Sequence, residues 1–522
     1  MPFKIALLFI PGWTMVTGSP HLALPLLRAY LEANGIEVLL RDLNHEISKE
    51  LSVHISSRSA LEACVPPVLE NMNTPYFAAE DKLEAIAARY AGEWNAQLGF
   101  WYKGSPERSS RKALSVVTNE SPFDNLYNSK VIPELLKEEP DLVGLSIASV
   151  YQIIPALQLC RLLRLSSYSG FILLGGNTIS RLQQEMAFPE IFKFVDGLMV
   201  FEGEEPLLQL CQTLELRQPL DRVPQLIWRD ATGKIRQNSN QIDALDLNTV
   251  PPPDYRGLSV GQYWGKNYLN IVAARGCYYG KCNFCAIPYG WGHNGFAGMR
   301  SPEATYRDML TLMKRHGINR FKFVDEALSP GFMRVLAERI INDDVDLEWE
   351  GYVRFEPHWY EEDFVNLIAR AGFRKGYFGL EVIPSKRRPS LNKKDRPKPE
   401  ELLTRCSSSG INVHLFCMFG FPGPGEREAA ETVEFLLAHQ DEIDTADIFP
   451  WTYAKHTNVP GVIATKKKQD DWSLEFTHSS KYKNILSSDK VIEMSSQYEE
   501  LLWKEVPRFL HPTYRLVSPW MH

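Results

Sequence analysis

The sequence predicts an α/β protein built from two successive series of parallel strands and helices. Three observations lead there. Short apolar runs alternate with helical stretches over residues 1–220, and again from about 265 to 451. In the first series the runs end in turn-forming residues, the pattern of parallel strands buried on both faces. Between the two series lies QIDALDLNTVPPPDY, whose prolines at 251–253 force an extended path.

In the first series the strand candidates are 4–11, 36–44, 142–149, 171–178 and 197–204, with helices at 21–34, 130–138, 151–165 and 204–214. This order predicts a doubly wound, Rossmann-like sheet. An aromatic-rich insertion at 45–128 interrupts it and is expected to be helical at 80–98. Residues 224–238 read as a β-hairpin turning at ATGK. The first unit is therefore placed at 1–240 and a linker at 241–258.

The second series has strands at 270–276, 321–328, 347–354, 377–382, 412–423 and 445–451, with helices at 302–315, 331–342, 361–371, 399–409 and 426–440. Six β/α units over 259–458 are fewer than the eight of a closed barrel, so a partial barrel is expected. Residues 459–522 lack the repeat, carry a helical stretch at 488–506, and are expected to be mostly helical and to cap an open side.

Composition narrows the function. The chain has 522 residues, 44% hydrophobic and 23% charged, ordinary for a globular protein. The net charge is −7, no long basic run appears, and the short KKK at 466–468 reads as a solvated loop, so no nucleic-acid partner is expected. The N-terminal apolar run is cut off by Pro11 and Gly12, which suits a first strand better than a leader or a membrane span. A cytoplasmic enzyme is the expectation.

The chemistry is concentrated in RGCYYGKCNFCAIPYG, where Cys277, Cys282 and Cys285 are spaced C-x4-C-x2-C. The other cysteines (Cys64, Cys160, Cys211, Cys406 and Cys417) stand alone. A structural zinc site closes with four ligands. The nearest fourth candidate, His293, lies eight residues past Cys285 and fits none of the usual zinc spacings. Disulfides are disfavoured in a reducing compartment. An iron–sulfur cluster suits three close cysteines better, and a [4Fe–4S] cluster held by three leaves one iron open. The cysteines follow the first strand of the second series, at the face where α/β barrels carry their active sites.

A cysteine triad in this place, after a doubly wound unit and the linker DLNTVPPPDY, resembles the cobalamin-binding class of the radical S-adenosylmethionine (SAM) superfamily over about residues 1–460. The usual triad is C-x3-C-x2-C, so this chain has one extra residue near Gly280. The resemblance implies an N-terminal cobalamin-binding domain, a radical SAM partial (β/α)6 barrel, and three cofactors: a [4Fe–4S] cluster, SAM and cobalamin. It implies that Cys277, Cys282 and Cys285 hold the cluster and that Phe284 packs near the adenine. Asp325 and Glu326 would bind the SAM amino group, Arg354 its carboxylate, and Glu381 matches the family's GLE motif. Gly420, Phe421, Pro422 and Gly423 match its GFPG turn.

No D-x-H-x-x-G motif supplies a histidine to cobalt. Cobalamin would instead be gripped at the strand ends by Ser146, Ser149, Tyr151, Gly175 and Gly176. The activity implied is reductive cleavage of SAM to a 5′-deoxyadenosyl radical and methylation of an unactivated carbon of a peptide or small-molecule substrate. A ferredoxin- or flavodoxin-like donor would supply the electron. Rearrangement, ring contraction or cyclisation without methyl transfer is the alternative. A tRNA methylthiolase would need a second cysteine triad in the first unit, where Cys64, Cys160 and Cys211 are isolated. The aromatics Tyr289, Trp291, Tyr352, Trp451 and Tyr453 suit packing and substrate contact equally.

Overall fold

In the computed structural model the two series form two sheets. The structure describes residues 3–12, 19–47, 94–96, 100–102, 105–240, 245–263, 267–290, 296–383, 392–393, 398–422, 425–467, 470–480, 486–506 and 509.

The first sheet has seven strands. Those of its parallel part are β1 (Lys4–Phe9), β2 (Glu37–Asp42), β3 (Leu142–Ser146), β4 (Phe171–Gly175) and β5 (Gly197–Met199). An antiparallel pair, β6 (Leu226–Arg229) and β7 (Ile235–Gln237), extends it, giving the order β2-β1-β3-β4-β5-β6-β7. Helices α1 (Ala23–Ala33), α2 (Ile153–Leu165), α3 (Asn177–Arg181) and α4 (Glu204–Glu215) lie between the strands. Apolar cores form on both faces, one around Leu8, Leu145 and Leu174 and the other around Leu7, Leu173 and Leu210. Burial on both faces is why these strands are apolar at nearly every position. The β6–β7 hairpin turns where Asp230 Oδ1 accepts from Thr232 N at 2.9 Å and Lys234 N at 3.0 Å, a carboxylate replacing backbone acceptors in the turn.

The second sheet has six strands, all parallel and in chain order: β8 (Leu269–Ile271), β9 (Arg320–Phe323), β10 (Glu348–Val353), β11 (Phe373–Glu381), β12 (Asn412–Phe419) and β13 (Thr445–Pro450). Its helices are α5 (Pro302–His316), α6 (Pro330–Asn342), α7 (Glu362–Arg370), α8 (Pro399–Ser408) and α9 (Gly425–Ala438). The first two begin alike: Ser301 and Ser329 cap the amides of Ala304 and Phe332, and a proline follows each cap. The core of this unit lies between the sheet and these helices, around Phe323, Trp349, Phe373 and Leu415.

Two expectations need correction. Of the helix expected at 80–98, residues 80–93 and 97–98 lie outside the described residues, and Trp94–Ala96 is a strand paired antiparallel with Phe100–Tyr102. The C-terminal segment is not helical throughout. β14 (Tyr453–Ala454), β15 (Val462–Lys467) and β16 (Glu475–Ser480) make a small antiparallel sheet ahead of α10 (Ser488–Glu505). Helix α10 packs on β13, the free edge of the second sheet, and on α9. Among the described residues no helix is long and apolar enough to cross a membrane.

Candidate cofactor site

The cysteine loop leaves the second sheet through a two-stranded ribbon, Ala274–Gly276 against Phe296–Met299. Three side chains fix its root. Asp325, just past β9, accepts from the amides of Ala273 (3.0 Å) and Ala274. Arg275 is buried between Glu202 and Glu204, which follow β5 of the other sheet. Arg300 donates to the carbonyls of Leu247 and Val250 in the linker and pairs with Asp308 at 2.7 Å. Asp325 was expected to face a ligand's amino group. Its oxygens instead hold backbone amides and the residue is 1% exposed, so it organises the loop from within. Burial raises its carboxyl to about 7, against the pull of those amides.

Within the loop Gly280 takes φ +57°, a left-handed turn between Cys277 and Cys282. The amide of Cys285 donates to the Cys282 carbonyl at 3.2 Å, which turns the second and third cysteines back on each other. All three are partly buried, and Cys285 lies within electrostatic reach of Cys282, Cys277 and Glu326. Burial pushes the Cys285 thiol up to about 12 and raises that of Cys282, with Lys393 and Arg354 pulling the latter back. Among the described residues no three His, Cys, Asp or Glu side chains gather as a single-ion site. A [4Fe–4S] cluster offers a separate iron to each thiolate and needs no such single point. The thiols of Cys282 and Cys285, which burial makes costly to ionise alone, lie on one loop near Arg354 and fit a group whose irons stabilise thiolates.

The ends of the next strands meet this loop. Arg354, just past β10, sends Nη1 to 4.0 Å from Cys282 Sγ, pairs with Glu356 at 3.2 Å, and lies 3.8 Å over the Tyr279 ring. Glu381, the last residue of β11, is held at φ +61°, where a non-glycine residue is strained. Lys393 pairs with it at 2.6 Å. Phe284 packs edge-on to Phe421 (5.2 Å between centroids), within an apolar cluster of Met418, Trp451, Val459 and Val462. Gly420 needs its φ of +86°, and a β-carbon there would come within 2.4 Å of the Val491 side chain on α10. Pro422 adjoins this cluster in sequence, and Gly423 and Trp291 lie outside the described residues. Tyr352 stacks on Tyr377 and Phe416 on the inner face of the sheet. Beside it, fully buried Lys322 donates to the Tyr377 hydroxyl at 3.1 Å and pairs with Glu350 at 3.3 Å.

The strand ends of the first sheet face the other side of the loop. Tyr289 stacks on His456 (3.3 Å), lies edge-on to Phe201, and its hydroxyl accepts from Gln183 Nε2 at 2.8 Å. Arg181, at the end of α3, lies within electrostatic reach of Cys285. The proposed nucleotide-gripping residues divide. Ser149 caps its own turn, accepting from Tyr151 N at 3.4 Å in a capping box with Gln152. Gly176, at φ +106°, sits against the Ile147 carbonyl. Gly175 and Ser146 end adjacent paired strands, and Tyr151 lies under the Arg108 guanidinium at 5.9 Å. Arg181, Gln183, Arg275, His456 and Lys393 escaped the sequence reading, because isolated polar residues on separate elements carry no local pattern.

These two sheets, with a cysteine loop between their strand ends, have the fold of cobalamin-dependent radical SAM enzymes. One solved structure with this fold is the radical SAM methyltransferase TsrM from Kitasatospora setae with cobalamin and a [4Fe–4S] cluster bound. Its TM-score is 0.58 at 13% identity, covering 99% of this chain and 90% of that one. TsrM with tryptophan substrate and a SAM analogue superposes at TM-score 0.54 and 16% identity, over 88% and 78% of the two chains. The cobalamin-dependent SAM radical enzyme OxsB, with aqua-cobalamin and SAM bound, superposes at 0.56 and 17%, over 83% and 52%. The chain thus spans about half the length of OxsB. No protein-family model matches the sequence, and no curated protein matches it.

Proposed function

We propose that the chain is a cobalamin-dependent radical SAM enzyme that methylates an unactivated carbon of a peptide or small-molecule substrate. The observation that carries this reading is the convergence on the cysteine loop. Arg354 and Glu381, from the ends of two neighbouring strands, act on Cys282, and Glu326, from the end of a third, acts on Cys285. Cys277, Cys282 and Cys285 would hold the cluster. Ser146, Tyr151 and Gly175, at the facing strand ends, would border cobalamin.

When bound, these cofactors supply a 5′-deoxyadenosyl radical and a transferable methyl group. The chain's own residues do the rest. Asp325 and Arg275 hold the root of the cysteine loop. Glu381 offers a carboxylate to a ligand ammonium. Phe284, Phe421 and Trp451 make an apolar wall that keeps water from one side of the loop.

Anaerobic reconstitution tests the reading. The expected protein is brown, carries about four irons per chain, retains cobalamin, and makes both 5′-deoxyadenosine and S-adenosylhomocysteine with its substrate. Formation of 5′-deoxyadenosine without S-adenosylhomocysteine would point to rearrangement instead. A colourless protein with one zinc sinks the proposal, as does full iron loading in a Cys282→Ala variant.

A further inference from the structure

Two arginines near the strand ends of the first sheet are fixed at the backbone and left unspent at the side chain. Arg108 ends a short turn, Pro106–Arg108, and its carbonyl accepts from Trp472 N at 2.9 Å. The Arg181 carbonyl, at the end of α3, accepts from Lys455 Nζ at 2.9 Å. Both donors come from the segment that carries the small antiparallel sheet, and Trp472 is fully buried in the core of the first unit. The two guanidiniums lie within electrostatic reach of each other, and that of Arg181 also reaches Cys285 and Glu475. Arg108 stands 5.9 Å over the ring of Tyr151, just past β3. The pair thus borders the space that the cysteine loop shares with the first sheet.

The acidic groups nearby do not satisfy these cations. Among the described residues neither guanidinium makes a hydrogen bond, and the Nε of each is buried without a partner. Glu107 stands 3.9 Å from Arg108 Nε, beyond hydrogen-bond reach, and burial raises its carboxyl above the ordinary range. Glu185, which shares the neighbourhood of Lys455 with Arg181, is held by Lys455 at 2.7 Å and by Lys467 at 2.8 Å. A buried N–H that loses water and gains no acceptor forfeits its hydration, and native chains keep few such donors. Two of them on neighbouring cations call for an acceptor that carries negative charge.

We propose that Arg108 and Arg181 form an oxyanion subsite for an acidic group of the substrate, a carboxylate or a phosphate. The guanidinium fork matches either group in geometry. The subsite selects an anionic substrate and anchors one end of it on the first sheet, leaving the rest of the molecule to reach the cysteine loop. This inference rests on the reading of that loop as a radical SAM site. The phosphodiester of the cobalamin nucleotide tail is the other source of the same chemistry, and the test separates the two.

Inorganic phosphate and acetate are titrated calorimetrically into the full chain, reconstituted anaerobically with iron and cobalamin, and both cofactors are quantified in every sample. The wild type is expected to bind at least one of the anions, and the tighter of the two names the acidic group. Arg181→Met and Arg108→Met should each weaken that anion at least about tenfold, the loss of one charge-assisted contact. Arg181→Lys should recover part of the loss, keeping the charge without the fork. Arg181→Met should also keep or raise the thermal midpoint, since it removes an unsatisfied donor. A midpoint well below wild type would make the guanidinium structural and overturn the inference. The second arm compares retention of cobalamin with that of cobinamide, which lacks the nucleotide and its phosphate. An unchanged ratio in Arg181→Met supports a substrate group, whereas a lost preference for cobalamin gives the arginines to its phosphodiester and overturns the proposal. A wild type that carries both cofactors and binds neither anion overturns it as well. A wild type that takes up no iron sinks the reading of the cysteine loop, and this inference with it.

Discussion

Arg275 and Glu204 form a bidentate ion pair that ties the cysteine loop of one sheet to the strand ends of the other. Nη1 donates to Glu204 Oε2 at 3.1 Å and Nη2 donates to Oε1, while Nη1 also meets Glu202 Oε1 at 2.7 Å. All three side chains are under 10% exposed. Two carboxylates on one guanidinium give this buried triad a net charge of −1. Arg275→Ala therefore strands two buried anions and is expected to cost about 3–5 kcal/mol in urea unfolding. Arg275→Lys keeps the charge but loses the fork, and falls between. Arg275→Met combined with Glu202→Gln and Glu204→Gln is expected to recover much of the loss. If Arg275→Ala unfolds at the wild-type midpoint, the pair does not couple the sheets.

The strands of the first sheet were legible because burial on two faces writes apolar residues at nearly every position, as in β1, whereas in the second sheet β10, EWEGYV, buries only every second residue and was read from its place between helices. The small sheet at 453–480 was not. β15 is largely exposed, VIATKK with only its first residue buried, so no apolar run marks it. The same contrast holds at the site. Glu381, Arg354 and Gly420 sit at the ends of recognisable strands, where topology alone places them together. The orientation of Asp325 depends on which acceptor the amides of Ala273 and Ala274 lack, which is a tertiary fact. Lys393 stands 12 residues after Glu381 in sequence and is held beside it by the bonds of Asn392 to Lys281 and Tyr279.

Asp325 makes stability depend on pH. Its carboxyl rises from an ordinary 3.8 to about 7 through burial. Between about pH 4 and 7 the folded chain holds a proton there that the unfolded chain has released. The slope of unfolding free energy with pH follows protons bound unfolded minus folded, which is negative in this window. The contribution is full below the unfolded value and is lost as pH rises through about 7. It amounts to up to about 4 kcal/mol over the window. Asp325→Asn cannot titrate, so urea midpoints at pH 5 and pH 8 should show the wild type losing ground to the variant at the higher pH. An equal gap at both pH values would show that Asp325 keeps an ordinary acidity.

Arg354 should act on the electron rather than on the fold. Its guanidinium lies 4.0 Å from Cys282 Sγ, with Glu356 holding Nε. A positive charge beside a thiolate ligand favours the reduced, more negative state, and hydrogen bonds to cluster sulfurs raise potentials in the same way. In reconstituted protein, Arg354→Leu is expected to move the cluster's midpoint potential to more negative values with iron content unchanged. Arg354→Lys should move it less. Redox titration followed by electron paramagnetic resonance measures both. A potential that stays put or rises removes Arg354 from this role.

Gly175 and Gly176 are adjacent yet constrained by different things. At Gly176, φ is +106° and an added β-carbon would lie 2.5 Å from the Ile147 carbonyl oxygen, a backbone atom that cannot swing aside. Gly176→Ala is therefore expected to destabilise the chain by about 1–3 kcal/mol, whatever binds nearby. At Gly175 the same β-carbon would meet only the Met199 carbonyl oxygen, at 3.7 Å, which is ordinary contact. Gly175→Ala should hold wild-type stability within about 0.5 kcal/mol. Under the cobalamin reading its methyl intrudes where the nucleotide tail approaches, and retention should fall about tenfold, the equivalent of a modest overpacking. Thermal unfolding and cobalamin absorbance after gel filtration separate the two effects. A Gly175→Ala variant that keeps both its stability and its cobalamin would move the ligand away from the end of β4.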